Sequence, residues 1–240
     1  MSRDAAGRIT FSIDLEPGLD LPAELTGAFD DVCRNLLSLF DRYKTAATWA
    51  VADPARSIAR DDIRRSPLDH EIAVLGERSW LSDQVGRNMQ ARELNRRLQG
   101  ARNAGLSVST LVLRDVDLAD TSWTRDLGVR TVRETPADDP ADGVTRGIWR
   151  LPARAGWLER WLLKRSVARM LGSVELLHFA VEASSYVEAG NVTGLKVLEE
   201  VLDLTTTGVR KGKLRVLTLG KNTDELAPVL GPARSVLRAA

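Results

Sequence analysis

The sequence is short of the residues that most metal and redox sites need. Its 240 residues include one cysteine, Cys33, and two histidines, His70 and His178. A single thiol excludes an internal disulfide and a thiolate zinc site. Cys33 lies between Val32 and Leu36 in a helical stretch, where a buried structural thiol is expected. Charge of one sign is also missing. The 34 basic and 33 acidic residues leave a net charge of +1, so no nucleic-acid partner is expected. No apolar run reaches the roughly 18 residues of a membrane span, and Met1-Ser2-Arg3-Asp4 begins no apolar leader. A cytoplasmic protein without a transmembrane segment is the resulting expectation. No strand leads into Gly-x-Gly-x-x-Gly or a P-loop pattern, so nucleotide binding has no support.

What is present is a steady alternation of strand and helix signals. Ile9 to Leu15 reads as a strand, and Phe29, Val32, Leu36, Phe40 and Tyr43 follow at helical spacing. Further strands are expected at 45–52, 71–75, 108–113, 129–132, 147–151, 174–181 and 214–219. Helices are expected at 91–104 (ended by Gly105), 121–127 (ended by Gly128), 157–171 and 192–204. Residues 135–147 form the one clear long loop. Seven or eight β/α units in this length predict an α/β fold, a single domain over 1–240 built as an irregular parallel barrel. A doubly wound open sheet is the alternative.

In such a barrel the carboxyl ends of the strands converge on one face, where active sites sit. The first strand ends in Asp14-Leu15-Glu16 before Pro17-Gly18. A strand has a period of two, so both acids point to the same side. Two acids at a strand exit are costly to bury unless they have partners or a task. The other exits supply Glu77 and Arg78, then Arg114, Asp115 and Asp117, then His178 running to Glu182.

The order of these motifs resembles the polysaccharide deacetylases that carry the NodB homology domain. Ile9-Thr-Phe-Ser-Ile-Asp14-Leu-Glu16 is similar to the first motif of that family, and Thr48-Trp49-Ala-Val51 to the strand after its leading helix. Asp69-His70-Glu71-Ile72-Ala73 resembles the start of the second motif. Leu111-Val-Leu-Arg114 resembles the third, and Leu177-His178-Phe179 with the tail ending at Leu219 resembles the last. The resemblance spans nearly the whole chain. It implies metal-assisted hydrolysis of C–N bonds in acetylated sugars, with a zinc-like ion held by one carboxylate and two histidines.

Carried over position by position, the resemblance makes Asp14 the base, Glu16 the metal carboxylate and Arg114 the arginine that orients the base. The histidine of the last motif corresponds either to His178 or, in the longer His178-Phe-Ala-Val-Glu182 form, to Glu182. The two metal histidines would fall at Leu75 and Ser79, and the chain contains no His-x-x-x-His. The expectation is therefore a degenerate member with no metal ligands assigned and no cofactor. Oxygen ligation of a magnesium-like cation by the acids is the remaining metal option. The catalytic candidates are Asp14, Arg114, His178 and Glu182, and the substrate-binding candidates are Glu16, Trp49, Glu77 and Asp115. His70 lies at a strand entry and reads as structural.

Three functions stay open. One is a non-catalytic protein that binds a glycan or a partner. A second is a hydrolase with a rebuilt carboxylate site. The third is a scaffold that docks a partner or membrane through the helix 157–171, with Trp157 and Trp161 beside Arg160, Lys164, Arg165 and Arg169. The sequence sets neither the substrate nor the oligomeric state.

Overall fold

Alternation along each strand sets the architecture of this computed structural model, which describes residues 6–15, 26–82, 84–116, 118–134, 148–170, 175–188 and 195–230. In β1 (Gly7–Asp14), Ile9, Phe11 and Ile13 face a helical layer, and Thr10, Ser12 and Asp14 face the opposite side. All these side chains are buried. Burial on both faces is what a parallel sheet covered by helices requires.

The strands that follow are β2 (Thr48–Val51), β3 (Glu71–Gly76), β4 (Thr110–Leu113), β5 (Thr131–Arg133), β6 (Ile148–Arg150), β7 (Leu176–Glu182) and β8 (Leu214–Leu217). Every ladder among them is parallel. The order is β5-β4-β3-β2-β1-β7-β6, with β8 also on β1. β8 pairs Gly7–Thr10 at the entry of β1, and β2 pairs Ser12–Asp14 at its exit. One edge of β1 thus serves two strands. The sheet curls into a parallel half-barrel, with no ladder between β5 and β6 among the described residues.

Helices cover the outside. They are α1 (Thr26–Arg42), α2 (Ala59–Arg65), α3 (Arg78–Leu81), α4 (Arg87–Asn103), α5 (Trp123–Asp126), α6 (Trp157–Met170), α7 (Ala183–Glu188), α8 (Leu195–Arg210) and α9 (Leu219–Leu230). The alternation of strands and helices is as expected up to β8, but the closing helix α9 was not expected. Asp53-Pro54 reads as a helix start, and the helix that follows, α2, begins at Ala59. The short helices α3 and α7 were not expected, because four to six residues carry too little periodicity to read. The last strand stops at Leu217 rather than 219. Thr218 starts α9 instead, its carbonyl accepting from Asn222 N at 2.9 Å. The predicted 135–147 loop lies outside the described residues.

Two outer clusters make most of the core. One joins β1, β2 and β7 to α1, α6 and α8 through Phe11, Phe40, Trp49 and Phe179, and the other joins β3 and β4 to α4. Phe11 stacks on Phe179 with ring centroids 5.4 Å apart and meets Phe40 edge-on at 5.5 Å. Ala50, Ala73, Leu75, Val112 and Leu219 form a third cluster within the curl of the sheet. This small apolar plug fills the lumen between a polar floor and a charged mouth.

The floor is built on Glu71. Its Oε2 accepts from Thr48 Oγ1 at 2.8 Å and from the Gly220 amide of α9 at 2.9 Å, and its Oε1 accepts from Thr110 Oγ1. One carboxylate at the start of β3 thus ties β2, β4 and the first turn of α9 together. His70 stands beside it as a structural residue. Its Nδ1 accepts from the Ala47 amide at 3.0 Å, its Nε2 lies 3.3 Å from Asp41, and its ring meets Trp49 edge-on. Burial pushes its pKa down, partly offset by Asp41.

Candidate functional site

Period-two alternation delivers four charged side chains to the inner face at the strand exits: Asp14 from β1, Arg133 from β5, Arg150 from β6 and Glu182 from β7. Register places Asp14 directly beside Glu182. Arg133 Nη2 donates to both carboxylate oxygens of Asp14, at 2.9 and 3.2 Å, and to the Leu113 carbonyl at 2.8 Å. Asp14 and Arg133 are each 1% exposed. The resemblance assigned this orienting role to Arg114. The structure gives Asp14 to Arg133, and Arg114 makes its ion pair with Glu77. Arg133 was missed because nothing near it in sequence marks it, although its alternation with buried Val132 already points it inward.

Arg150 spans the mouth. Its Nη1 lies 2.7 Å from Glu182 Oε1, and its Nη2 lies 3.2 Å from Asp115 Oδ1. It therefore links β7 to the turn after β4 across the side where β5 and β6 share no ladder. Asp115 takes a left-handed φ of 53°, which aspartate tolerates better than most residues. Arg78 Nε donates to the Asp115 carbonyl at 2.6 Å. Burial raises the pKa of the Glu182 carboxyl, and the nearby charges of Asp14 and Asp115 add to this; Arg150 and Arg114 pull the other way.

His178 does not reach this mouth. It pairs in register with Thr10, four residues before the Asp14–Glu182 pair, or roughly 13 Å back along the strand. Thr10 Oγ1 lies 2.7 Å from its Nδ1 and Ser12 Oγ lies 3.0 Å from its Nε2, and the side chain is buried. Both nitrogens are occupied, and desolvation, helped by the Arg133 charge, holds the ring pKa well below its usual value. Of the two residues that could correspond to the last-motif histidine, Glu182 stands at the exit and His178 lies enclosed below it.

Trp49 is also displaced from its expected role. Its neighbours Thr48 and Ala50 face inward, so its indole faces α1 and packs on Phe40 at 5.7 Å. It lines a cavity of about 330 Å³ between α1 and α2, with Phe29, Cys33, Leu37 and Ile63 among the other walls. Cys33 is partly buried there rather than enclosed. Glu77 follows β3 and pairs with Arg114, and Glu16 lies outside the described residues.

Among the described residues, which do not include Glu16, no ligand set fits the implied zinc ion. Leu75 is fully buried in the apolar plug and Ser79 is exposed on α3. The Asp14 oxygens are taken up by a guanidinium, and no group of three ligating side chains forms among the described residues. Arginine, which stays protonated, offers a metal no lone pair and repels a dication.

Three solved structures share the architecture. A Mycobacterium smegmatis protein assigned as a polysaccharide deacetylase superposes with a TM-score of 0.66 at 13% identity, covering 97% of this chain and 94% of the other. This chain has the polysaccharide-deacetylase fold. The peptidoglycan deacetylase PdaC from Bacillus subtilis gives 0.53 at 11% identity over 95% of this chain and 99% of its own. The Bc1960 peptidoglycan N-acetylglucosamine deacetylase gives 0.50 at 14% identity over 90% of each chain. At these identities the likeness is one of fold. No protein-family model and no curated protein sequence matches the chain. On the polysaccharide-deacetylase fold, the mouth of this chain is lined by arginine–carboxylate pairs: Asp14 with Arg133, Glu77 with Arg114, and Asp115 and Glu182 with Arg150.

Proposed function

We propose that this chain binds a glycan at the mouth of its half-barrel and does not hydrolyse it. The observation that carries this reading lies at the two positions of the metal histidines, where Leu75 is fully buried in the apolar plug and Ser79 is exposed on α3. Metal-assisted deacetylation needs imidazole ligands that hold an ion with an open coordination position. Neither residue supplies an imidazole, and the carboxylate that corresponds to the base is 1% exposed beneath Arg133. Binding needs less. Sugar hydroxyls donate and accept at once, and a ring of fixed arginines and carboxylates offers both kinds of partner in set directions. Solved proteins of this fold are named for action on polysaccharide and peptidoglycan, which makes a glycan the ligand to test first.

The test is calorimetric titration with N-acetylglucosamine oligomers and with soluble peptidoglycan fragments, run beside an acetate-release assay with zinc, cobalt or magnesium added. Binding without metal-dependent acetate release is expected. Acetate release that is lost in Asp14→Asn, with folding intact, would overturn the reading in favour of a rebuilt hydrolase.

A further inference from the structure

We infer that the cavity between α1 and α2 binds a small, uncharged, largely apolar molecule whose acceptor oxygen takes the indole N–H of Trp49. The cavity lies on the helical side of the sheet, across β1 from Asp14, so the inference does not rest on glycan binding at the mouth.

Its walls follow from strand alternation and helix packing. β1 runs on into Leu15 and β2 turns Trp49 outward, while α1 supplies Phe29 and Leu37 and α2 supplies Ile63. Leu15, Phe29, Trp49 and Ile63 are buried. Ile58, just before α2, also lines the cavity and is 84% exposed, so the space opens to solvent there. An apolar cavity of about 150 Å³ holds one benzene. This one, at about 330 Å³, therefore takes a molecule of about ten heavy atoms, the size of a bicyclic ring system. It falls near the lower end of small-molecule pockets.

Two features set the chemistry of the ligand. The first is Trp49 itself. Its side chain is fully buried, yet its Nε1 has no hydrogen-bond partner among the described residues. Two rings hold the indole in place edge-on, Phe40 at 5.7 Å and His70 at 5.5 Å. A buried donor without an acceptor is costly, so an acceptor that reaches it is favoured. Water is a poor candidate. It needs two to four polar partners when buried, and the side chains of Leu15, Phe29, Leu37 and Ile63 offer none. Trp80 Nε1 and Tyr186 Oη are also buried without partners, but neither residue lines this cavity.

The second feature is the balance of charge at the rim. Arg34, Arg56, Asp30 and Asp62 line the cavity as well. Arg34 pairs with Asp31 at 2.6 Å and Asp62 with Arg65 at 3.3 Å. Arg56 and Asp30 remain, and their charges are opposite. A rim with no excess of either sign selects neither anions nor cations. A charge carried past it would meet apolar walls, where burial without a counterion is costly.

The test uses indanone, a bicyclic ketone with one acceptor oxygen, and indane, the same ring system without it. Each is titrated into the full chain isotope-labelled at its tryptophan indole nitrogens, and the N–H resonances are followed by NMR. The Trp49 signal is the one that Trp49→Phe removes. Indanone should bind saturably, move the Trp49 signal downfield and bind at least about fivefold tighter than indane. Trp49→Phe should lower the affinity for indanone to that for indane. Cys33→Phe, which adds a ring to another wall of the cavity, should abolish binding of both probes. Thermal melts check that each variant folds, and the wild-type signal decides the matter where one does not. Equal affinity for the two probes, a Trp49 signal that indanone leaves in place, or binding untouched by Cys33→Phe overturns the inference. Binding of neither probe overturns it too, and each of these results leaves glycan binding at the mouth standing.

Discussion

Arg133 Nη2 holds both carboxylate oxygens of Asp14, at 2.9 and 3.2 Å, across 119 residues of sequence, with both side chains 1% exposed. Either side chain alone in that place would be an uncompensated buried charge. Asp14→Asn or Arg133→Met should each cost about 3–5 kcal/mol in urea unfolding, and Asp14→Leu with Arg133→Met should recover most of the loss. Additive losses in the double variant would show that the two residues do not act as a pair.

Stability should fall in mild acid. His70 and His178 both have pKa values lowered by burial, so the unfolded chain binds more protons than the folded one below about pH 6.5. Their contribution is present above that pH and lost as pH drops through it. Glu182 works in the opposite sense at lower pH, because its raised pKa favours the folded state when protonated. Urea midpoints at pH 7.5 and 5.5 test this. His178→Gln should reduce the difference between them, since a neutral amide takes no proton from solvent.

The floor should be as sensitive as the mouth. Glu71→Gln replaces one acceptor oxygen with a donor amide facing Thr48, Thr110 and the Gly220 amide, at an expected cost of about 1–3 kcal/mol. Gly220→Ala acts on the same point, since a Cβ there would lie 2.7 Å from Glu71 Oε1. Thermal melts of both variants should show a lowered midpoint, and an unchanged midpoint in Glu71→Gln would count against the three-way clasp.

Gly76, at the exit of β3, has little room. A Cβ would lie 2.5 Å from Leu81 Cδ1 and 3.0 Å from Leu113 Cδ2. Gly76→Ala should destabilise by about 1–3 kcal/mol through overpacking. Adding Leu81→Val, which withdraws the nearest methyl, should return part of that loss in the same unfolding assay.

The exposed face of α6 tests the scaffold reading. Trp157, Leu158 and Trp161 are exposed, while Leu163 and Val167 pack into the core. The basic side is partly neutralised within the fold: Arg160 and Lys164 share Glu200, Arg169 meets Glu175, and Arg165 lies over the Trp161 ring. Trp157→Ala with Trp161→Ala should leave stability within about 0.5 kcal/mol for each replacement. The wild-type protein should not sediment with anionic vesicles. Vesicle binding that the double variant loses would restore the scaffold reading.

Much of this was legible in the residues. The strand Ile9–Leu15, the helix around Phe29–Tyr43 and the breaks at Gly105 and Gly128 follow from periodicity and glycine chemistry. Asp14 at a strand exit was legible for the same reason. His178 was harder to place, since its four-residue separation from Glu182 says nothing about which of them reaches the mouth. Register against β1 answers that, setting His178 beside Thr10 and Glu182 beside Asp14.

The sequence by itself determined the β/α pattern, which residues of a strand share a face and the lack of histidines at the metal positions. These are local properties, written in a period of two and in residue identity. Only the tertiary structure decided that Arg133 rather than Arg114 holds Asp14, that Trp49 faces α1, and that Arg150 bridges Glu182 to Asp115. Those partners lie on different strands, and which of them meet depends on how the sheet curls and staggers, which no short stretch of chain encodes.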